Sequence, residues 1–321
     1  MQHDGTCRPK TPAMQRRLYA GLYYALAGAT LVLAAICAVN PVTTVLKVVD
    51  LLTVPLISIV LLLAVILLAL RQTRPALTVL CAALAMAVTA IPQLLVFQPP
   101  AAPGQPPLKV LFANLYIHNK APQKLLPIIF KEKPDVIATV ESSWLSHHRI
   151  SRGLQTNYPY RFIINDVLVF SRYPLSEGHQ DFAPAHFYKV AVQTPQGVVD
   201  LNIFHPAEPV PQWQDLQHSQ FQAVTSRLKA SDLTHTLLVG DFNSNMSGVE
   251  MQTLTHVTGL KPLAAIDGTW PSMAPGPFRV TLDNALAGPG LHLSDRRVGP
   301  DDGSDHRPIL FEARFTGRQP G

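Results

Sequence analysis

Cysteine is scarce in this sequence and is absent from most of its length. The chain has 321 residues and three cysteines, Cys7, Cys37 and Cys81, so that no cysteine follows position 81. This absence excludes a disulfide-bonded framework for the larger, C-terminal part of the chain. A domain there can be exported without needing or risking disulfide formation.

Acidic residues are almost missing from the first hundred positions. Only Asp4 and Asp50 occur there, against seven lysines and arginines, and this difference accounts for the formal net charge of +5. The remaining 19 basic residues are balanced by 19 acidic ones. The sequence pI of about 9.2 therefore describes the N-terminal segment and is no evidence for a nucleic-acid-binding surface.

Long apolar runs, by contrast, are abundant near the N-terminus. Nearly uncharged stretches occupy positions 18–39, 48–70 and 76–97. Each is close to the ~20 residues that cross the hydrocarbon core of a bilayer as a helix. Buried helices of a soluble protein are the alternative, but "LISIVLLLAVILLAL" has no polar face. The pattern predicts three transmembrane helices, and the first is too long for a cleaved signal peptide.

Basic residues predict the orientation of these helices. Four precede the first stretch, and Arg71 and Arg74 lie between the second and third. The positive-inside rule then predicts a cytoplasmic tail at 1–17, membrane helices within 18–97, and an outward-facing remainder. "QPPAAPGQPP" at 98–107, with its prolines, predicts a semi-rigid linker before a domain at 108–316.

Polar side chains stand where apolar runs of this domain end. In "LLVGDFNS" a buried strand is predicted to stop at Asp241 and Asn243. Short apolar runs alternate with helical patterns, which favours packed sheets covered by outer helices. Carboxylates suit a hard divalent cation, and amide and imidazole groups suit phosphate oxygens. The combination indicates metal-assisted phosphoester hydrolysis. The residues concerned are Asn114, Glu141, His205, Asp241, Asn243, Asp283, Asp305 and His306.

The motifs "FANLYIHN", "DVIATVES", "SRYPL", "FHP", "VGDFNS", "LDNALA" and "GSDHRP" occur in this order. Together they resemble the endonuclease/exonuclease/phosphatase superfamily, which includes DNase I, and "HPAEP" and "GTWP" resemble a bacterial membrane-anchored branch of it. The resemblance implies a DNase I-like four-layer α/β sandwich. It also implies location in the bacterial inner (plasma) membrane, with the domain on the periplasmic or extracellular side.

The resemblance also implies roles for individual residues. Glu141 would be the principal ligand of Mg²⁺ or Mn²⁺, with Asn114 and Asp305 nearby. Asp241 would orient or deprotonate the attacking water, and Asn243 would hold a phosphate oxygen. The catalytic set would be completed by His306, its partner Asp283, and His205 as an acid or phosphate ligand.

The motifs are compatible with more than one class of substrate. A lipid head group beside the bilayer and a strand of DNA or RNA are both compatible with the motifs. A catalytically idle, membrane-anchored binding module is the alternative of another class. Retention of all eight site residues favours the enzyme.

Overall fold

The computed structural model describes residues 13–39, 48–49, 51–91, 95–176, 178–181 and 185–317. The expected tail at 1–17 lies mostly outside these residues, as do Pro92 and Gln93 of the third apolar stretch.

Three apolar helices precede the domain: α1 (Ala13–Val39), α2 (Thr53–Ala69) and α3 (Thr73–Thr89). They pack on one another through small and branched side chains that include Ala27, Ala64, Val79 and Ala82. Their outward faces expose large apolar side chains such as Leu62 and Leu84. The helices therefore form a small bundle whose outer surface is apolar.

The expectation of three membrane-spanning helices is not supported. Within the described residues, one helix is long and apolar enough to cross a bilayer, over Arg17–Ala38. Helices α2 and α3 have 17 residues each. At 1.5 Å per residue they are about 25 Å long, which is shorter than the hydrocarbon core. The third apolar run was expected to reach residue 97, but its helix ends at Thr89.

The proline-rich segment lies against the domain that follows it. The Ala102 N–H donates to the Phe315 carbonyl (2.9 Å), and Ala101 forms an isolated bridge with Thr316. Gln98 donates its side-chain amide to the Pro262 carbonyl at 2.8 Å. These contacts hold the first residues of the segment against the domain. The segment therefore separates the helices from the domain by less than ten extended residues would.

The domain contains two six-stranded sheets, which confirms the expected DNase I-like α/β fold. The strands of the first sheet are β1 (Leu108–Asn114), β2 (Val136–Val140), β3 (Tyr160–Ile164), β4 (Val167–Ser171), β11 (Leu291–Val298) and β12 (Ile309–Phe315). The strands of the second sheet are β5 (His179–Asp181), β6 (Phe187–Thr194), β7 (Gly197–Phe204), β8 (Thr236–Asp241), β9 (Lys261–Pro262) and β10 (Asp283–Ala287). The order across the first sheet is β11–β12–β1–β2–β4–β3, and the order across the second is β5–β6–β7–β8–β10–β9.

The main core lies between the sheets, where Phe112, Val169, Leu201 and Val239 are buried. Helices α4 (Leu125–Glu132) and α5 (Trp144–Leu154) cover the outer face of the first sheet. Helices α6 (Gln214–Lys229) and α7 (Val249–Thr258) cover that of the second. The order helix, sheet, sheet, helix gives the four layers, because each sheet has apolar side chains on both faces.

Local sequence explains several of these elements. Pro127 is the third residue of α4, in the first turn, where its missing N–H breaks no helical hydrogen bond. Asn165 adopts a positive φ of 51° in the turn between β3 and β4, a conformation that asparagine tolerates well. The sequence patterns did not predict helix α5, which begins after Ser143, whose side chain accepts the Ser146 N–H.

Strand direction brings the polar residues to one edge of the sandwich. Strands β1 and β2 are parallel and end at Asn114 and Val140, and β7 and β8 are parallel and end at Phe204 and Asp241. Strand β10 runs the opposite way and begins at Asp283, which stands directly beside Asp241.

Candidate active site

Two carboxylates and an amide meet at the centre of this edge. The Asn114 side-chain N–H₂ donates to Glu141 Oε1 at 2.7 Å and to Asp241 Oδ2 at 2.9 Å. Its own oxygen accepts the Tyr116 N–H at 2.9 Å. Asn114 therefore joins the ends of the two sheets, because Glu141 follows a strand of one and Asp241 ends a strand of the other.

The backbone of Glu141 is held in an uncommon conformation. Its φ is +52°, which non-glycine residues seldom adopt and which tends to occur at functional sites. The Asp166 carboxylate accepts the Glu141 N–H at 3.2 Å, and the Ile117 N–H donates to Glu141 Oε2 at 3.3 Å. The side chain is thereby directed at Asp241 from the end of β2.

A buried imidazole stands on the other side of Asp241. His306 Nδ1 lies 2.8 Å from Asp283 Oδ2, and its Nε2 lies 3.6 Å from Asp241 Oδ2. Burial by itself lowers the pKa of His306, but the carboxylates of Asp283 and Asp241 outweigh it and raise the pKa to about 10. Burial raises the pKa of Asp283, and the imidazolium opposes that rise. The ring can thus carry a positive charge at neutral pH.

The second histidine of the set lies closer to Glu141. His205 Nε2 is 3.5 Å from Glu141 Oε1 and 3.9 Å from Asp241 Oδ2. His205 directly follows β7, so its position depends on the pairing of β7 with β8. Both histidines therefore present Nε2 to Asp241.

Asp241 and Asn243 are joined by a tight turn. The Asn243 N–H donates to Asp241 Oδ1 at 3.0 Å, and Asn243 has a positive φ of 47°. The Asn243 side-chain amide donates to the Pro206 carbonyl at 3.0 Å, and the Asn243 backbone carbonyl accepts from the Gln217 side-chain amide at 3.0 Å. The carboxylate and the carboxamide are therefore fixed in place before any substrate binds.

The loop before β12 is tied to β1 by one hydroxyl group. Ser304 Oγ donates to the Asn114 carbonyl at 2.8 Å and accepts the His306 N–H at 3.1 Å. Asp305 lies between these residues, but its carboxylate accepts the Trp270 indole N–H at 3.3 Å. All eight residues expected from the sequence thus lie at this edge, and the Asp305 carboxylate there accepts the hydrogen bond of Trp270.

The donor set fits a hard divalent cation. Ligand atoms of Glu141, His205 and Asp241 lie within 4.8 Å of one another, and the same holds for Asp241, Asp283 and His306. The amide of Asn114 holds the carboxylates of Glu141 and Asp241 together, and a cation between two such oxygens would relieve their repulsion. Carboxylate oxygens in small number leave positions for water and phosphate, as Mg²⁺ prefers.

Several supporting residues were not found from the sequence. No sequence pattern gives Asp166 a role at the site, and Ser304 stands only within the motif "GSDHRP". The Arg296 guanidinium donates to the Asp283 carbonyl at 3.1 Å and to the Asp267 carbonyl at 2.9 Å. The pair Asn165-Asp166, which is typical of a turn between two strands, is a local signal for Asp166. Arg296 has no comparable signal in the sequence.

These features define a phosphoesterase of the DNase I type: two packed sheets with amide, carboxylate and imidazole groups converging at one edge. The sequence matches the Endonuclease/Exonuclease/phosphatase family over residues 111–306. The chain belongs to this family, and it is a phosphoesterase. No curated protein matches the sequence.

Solved structures share the fold at low sequence identity. An endonuclease/exonuclease/phosphatase from Beutenbergia cavernae DSM 12333 is 18% identical, with a TM-score of 0.52, over 66% of this chain and 72% of that one. Sphingomyelinase C from Streptomyces griseocarneus is 16% identical, with a TM-score of 0.51, over 65% and 99%. Beta toxin from Staphylococcus aureus, in a mutant form with bound magnesium ions, is 14% identical, with a TM-score of 0.51, over 66% and 100%.

Proposed function

We propose that this protein is a membrane-anchored phosphodiesterase that acts, with Mg²⁺ or Mn²⁺, on a phosphoester close to the outer surface of the plasma membrane. The observation that supports this most is the convergence of Asn114, Glu141 and Asp241 with the buried His306–Asp283 pair. A binding module has no need for a buried imidazole that is charged by two carboxylates.

In this proposal, different residues of the site would bind the metal ion and the phosphate group. Glu141 would be the principal ligand of the metal ion, with Asp305 available if its bond to Trp270 opens. The ion, when bound, supplies positive charge to a phosphate oxygen and the leaving oxygen. Asn243 would donate a hydrogen bond to a further phosphate oxygen.

The reaction adds water across one P–O bond. A water oxygen forms a bond to phosphorus, and the bond from phosphorus to the leaving alcohol oxygen breaks. Asp241 is placed to accept the proton of the water. His306, held by Asp283, is placed to stabilise the charge that develops on the phosphoryl oxygens, while His205 can donate a proton to the leaving oxygen.

Membrane anchoring is supported by the N-terminal helices. Helix α1 has the length and composition of one span, and apolar side chains cover the outer faces of α2 and α3. An apolar surface of that extent is unfavourable in water. The Ser58 hydroxyl of α2 donates to the Pro277 carbonyl at 2.9 Å, a few residues before Asp283. The domain therefore stays beside its anchor, where lipid phosphoesters are concentrated.

The test is a substrate comparison with the full-length protein in detergent micelles. We expect hydrolysis of bis(p-nitrophenyl) phosphate with Mg²⁺ or Mn²⁺ and none with excess chelator. His306→Ala should lower kcat by at least ~10²-fold, the usual scale for a lost electrostatic group. His256→Ala, at an exposed position on α7, is the matched control and should keep full activity.

Two outcomes would contradict the proposal. Rapid nicking of plasmid DNA at physiological salt, with slow turnover of lipid phosphoesters, would favour a nuclease. Binding of phosphoesters without turnover under any metal would favour the idle binding module.

A further inference from the structure

A cleft opens from the candidate active site, and most of its wall has no role in the chemistry described above. Its volume is about 510 Å³. Glu141, His205 and Asn243 line its inner end. The rest of its wall is formed by Ile117, Asp166, His186, Pro206, Ala207, Glu208, Trp213, Leu216 and Gln220. A group attached to a phosphate at the inner end would therefore enter this cleft.

The charge of the cleft is negative away from the reaction centre. No lysine or arginine occurs among the described residues that line it, whereas Asp166 and Glu208 do. A nucleic acid strand or a polyphosphorylated substrate places further phosphates beside the scissile one, and these require cationic or donor groups. The lining therefore disfavours a second anionic group and favours a cationic one.

The outer wall is apolar and aromatic. Trp213 is 48% exposed and faces the cleft together with Leu216 and Pro206. An aromatic face beside a carboxylate is the combination that binds an alkylated ammonium group. Glu208, which is exposed at the same wall, would supply the carboxylate.

The wall is also preformed. The buried Gln220 side chain of α6 accepts the Ala207 N–H at 2.7 Å, and the Trp213 N–H donates to the Val210 carbonyl at 2.9 Å. The Gln217 N–H donates to the Trp213 carbonyl at 2.8 Å, at the start of α6. The segment from Pro206 to Trp213 is thus fixed at both ends, which reduces the entropy cost of binding.

We infer that this cleft binds the ammonium-bearing alcohol portion of a phosphodiester, with Glu208 and Trp213 as the residues that determine specificity. This inference rests on the proposed phosphodiesterase function and narrows its substrate. An alcohol portion that carries an ammonium group occurs both in lipid head groups and in soluble phosphodiesters of amino alcohols.

The first experiment uses two soluble chromogenic esters of the same shape and different charge. p-Nitrophenyl phosphorylcholine carries a quaternary ammonium, and p-nitrophenyl 3,3-dimethylbutyl phosphate carries carbon in its place. With the full-length protein we expect kcat/KM to be about tenfold higher for the choline ester, the scale of a partly desolvated cation–π contact with a carboxylate nearby.

Variants then assign the preference to the two side chains. Glu208→Gln and Trp213→Leu should each reduce the ratio of the two kcat/KM values severalfold, chiefly through KM, while Trp213→Phe should keep most of it. Asp215→Asn is the matched control, because Asp215 is an exposed acid in the first turn of α6 outside the cleft lining, and it should keep the wild-type ratio.

The outcomes separate this inference from the proposed function. Equal kcat/KM values for both esters, or a ratio unchanged in Glu208→Gln, would overturn the inference and leave the phosphodiesterase in place. Failure to hydrolyse either ester would overturn both. Glycerophosphocholine and phosphatidylcholine vesicles, assayed for both released choline and released phosphocholine, then distinguish a soluble from a membrane source. If neither glycerophosphocholine nor phosphatidylcholine is hydrolysed, the inference that the substrate is an ammonium-bearing phosphodiester is also refuted.

Discussion

Gly240 offers a direct test of how closely the two strands at the site must approach. It precedes Asp241 at the end of β8 and lies against β7, whose last residue is Phe204. A Cβ added at Gly240 would lie 1.9 Å from the Phe204 carbonyl oxygen. Such a contact has to lengthen to at least about 3 Å, so that Gly240→Ala requires the strand ends to separate by about 1 Å.

This separation would act on catalysis more than on folding. Phe204 is followed by His205, and Gly240 is followed by Asp241, so the shift changes the distance between two site residues directly. A displacement of about 1 Å can lower turnover about 10²-fold. Overpacking of this kind typically costs about 1–3 kcal/mol of stability, which a domain of this size can tolerate.

The assay is the kcat of the full-length Gly240→Ala variant on bis(p-nitrophenyl) phosphate at saturating metal, with circular dichroism to establish that the protein is folded. Gly276→Ala is the matched control, because a Cβ at Gly276 meets nothing within 4 Å. A folded Gly240→Ala variant with more than half the wild-type kcat would refute the reasoning that strand approach sets the site geometry.

Three further predictions concern the metal, the pH dependence of stability, and topology. Glu141→Gln should weaken Mg²⁺ binding at least about tenfold in calorimetric titration, because a neutral amide is a poor Mg²⁺ ligand; unchanged affinity would remove Glu141 from the metal site. Burial raises the pKa of Asp302 to about 7. The unfolded chain releases this proton near pH 4 while the folded chain keeps it to about pH 7, so folding is progressively destabilised between these values, by about 4 kcal/mol at most. The free energy of unfolding of Asp302→Asn, measured by denaturant titration, should therefore rise relative to that of wild type between pH 4 and pH 7. A constant difference between the two proteins over this pH range would contradict the prediction. A reporter active only outside the cytoplasm should be active when fused after Gly321, and activity of a cytoplasm-only reporter at that position would reverse the proposed orientation.

The sequence by itself indicated the polar residues at the strand ends of the candidate site. Apolar runs that end in a polar residue locate Asn114, Glu141 and Asp241, because a buried strand can expose such a residue only at its end. The family match confirms the phosphoesterase class that these residues indicated. The roles assigned to individual residues stay predictions.

Helix length was less well determined by the sequence. Hydropathy predicted membrane helices over the apolar runs 48–70 and 76–97. The corresponding helices are shorter, Thr53–Ala69 and Thr73–Thr89. Hydropathy depends on composition and does not show where the backbone leaves the helix. The sequence therefore predicted three helices of membrane length, whereas one of the described helices reaches that length.

Only the tertiary structure decided how the site is held together. The contact of His306 with Asp283 depends on the register that sets Asp283 beside Asp241, and the bond from Ser304 to β1 joins segments 190 residues apart. The cleft wall depends in the same way on Gln220 reaching the loop at Ala207. Such contacts follow from the packing of distant segments, whose geometry local sequence patterns do not encode.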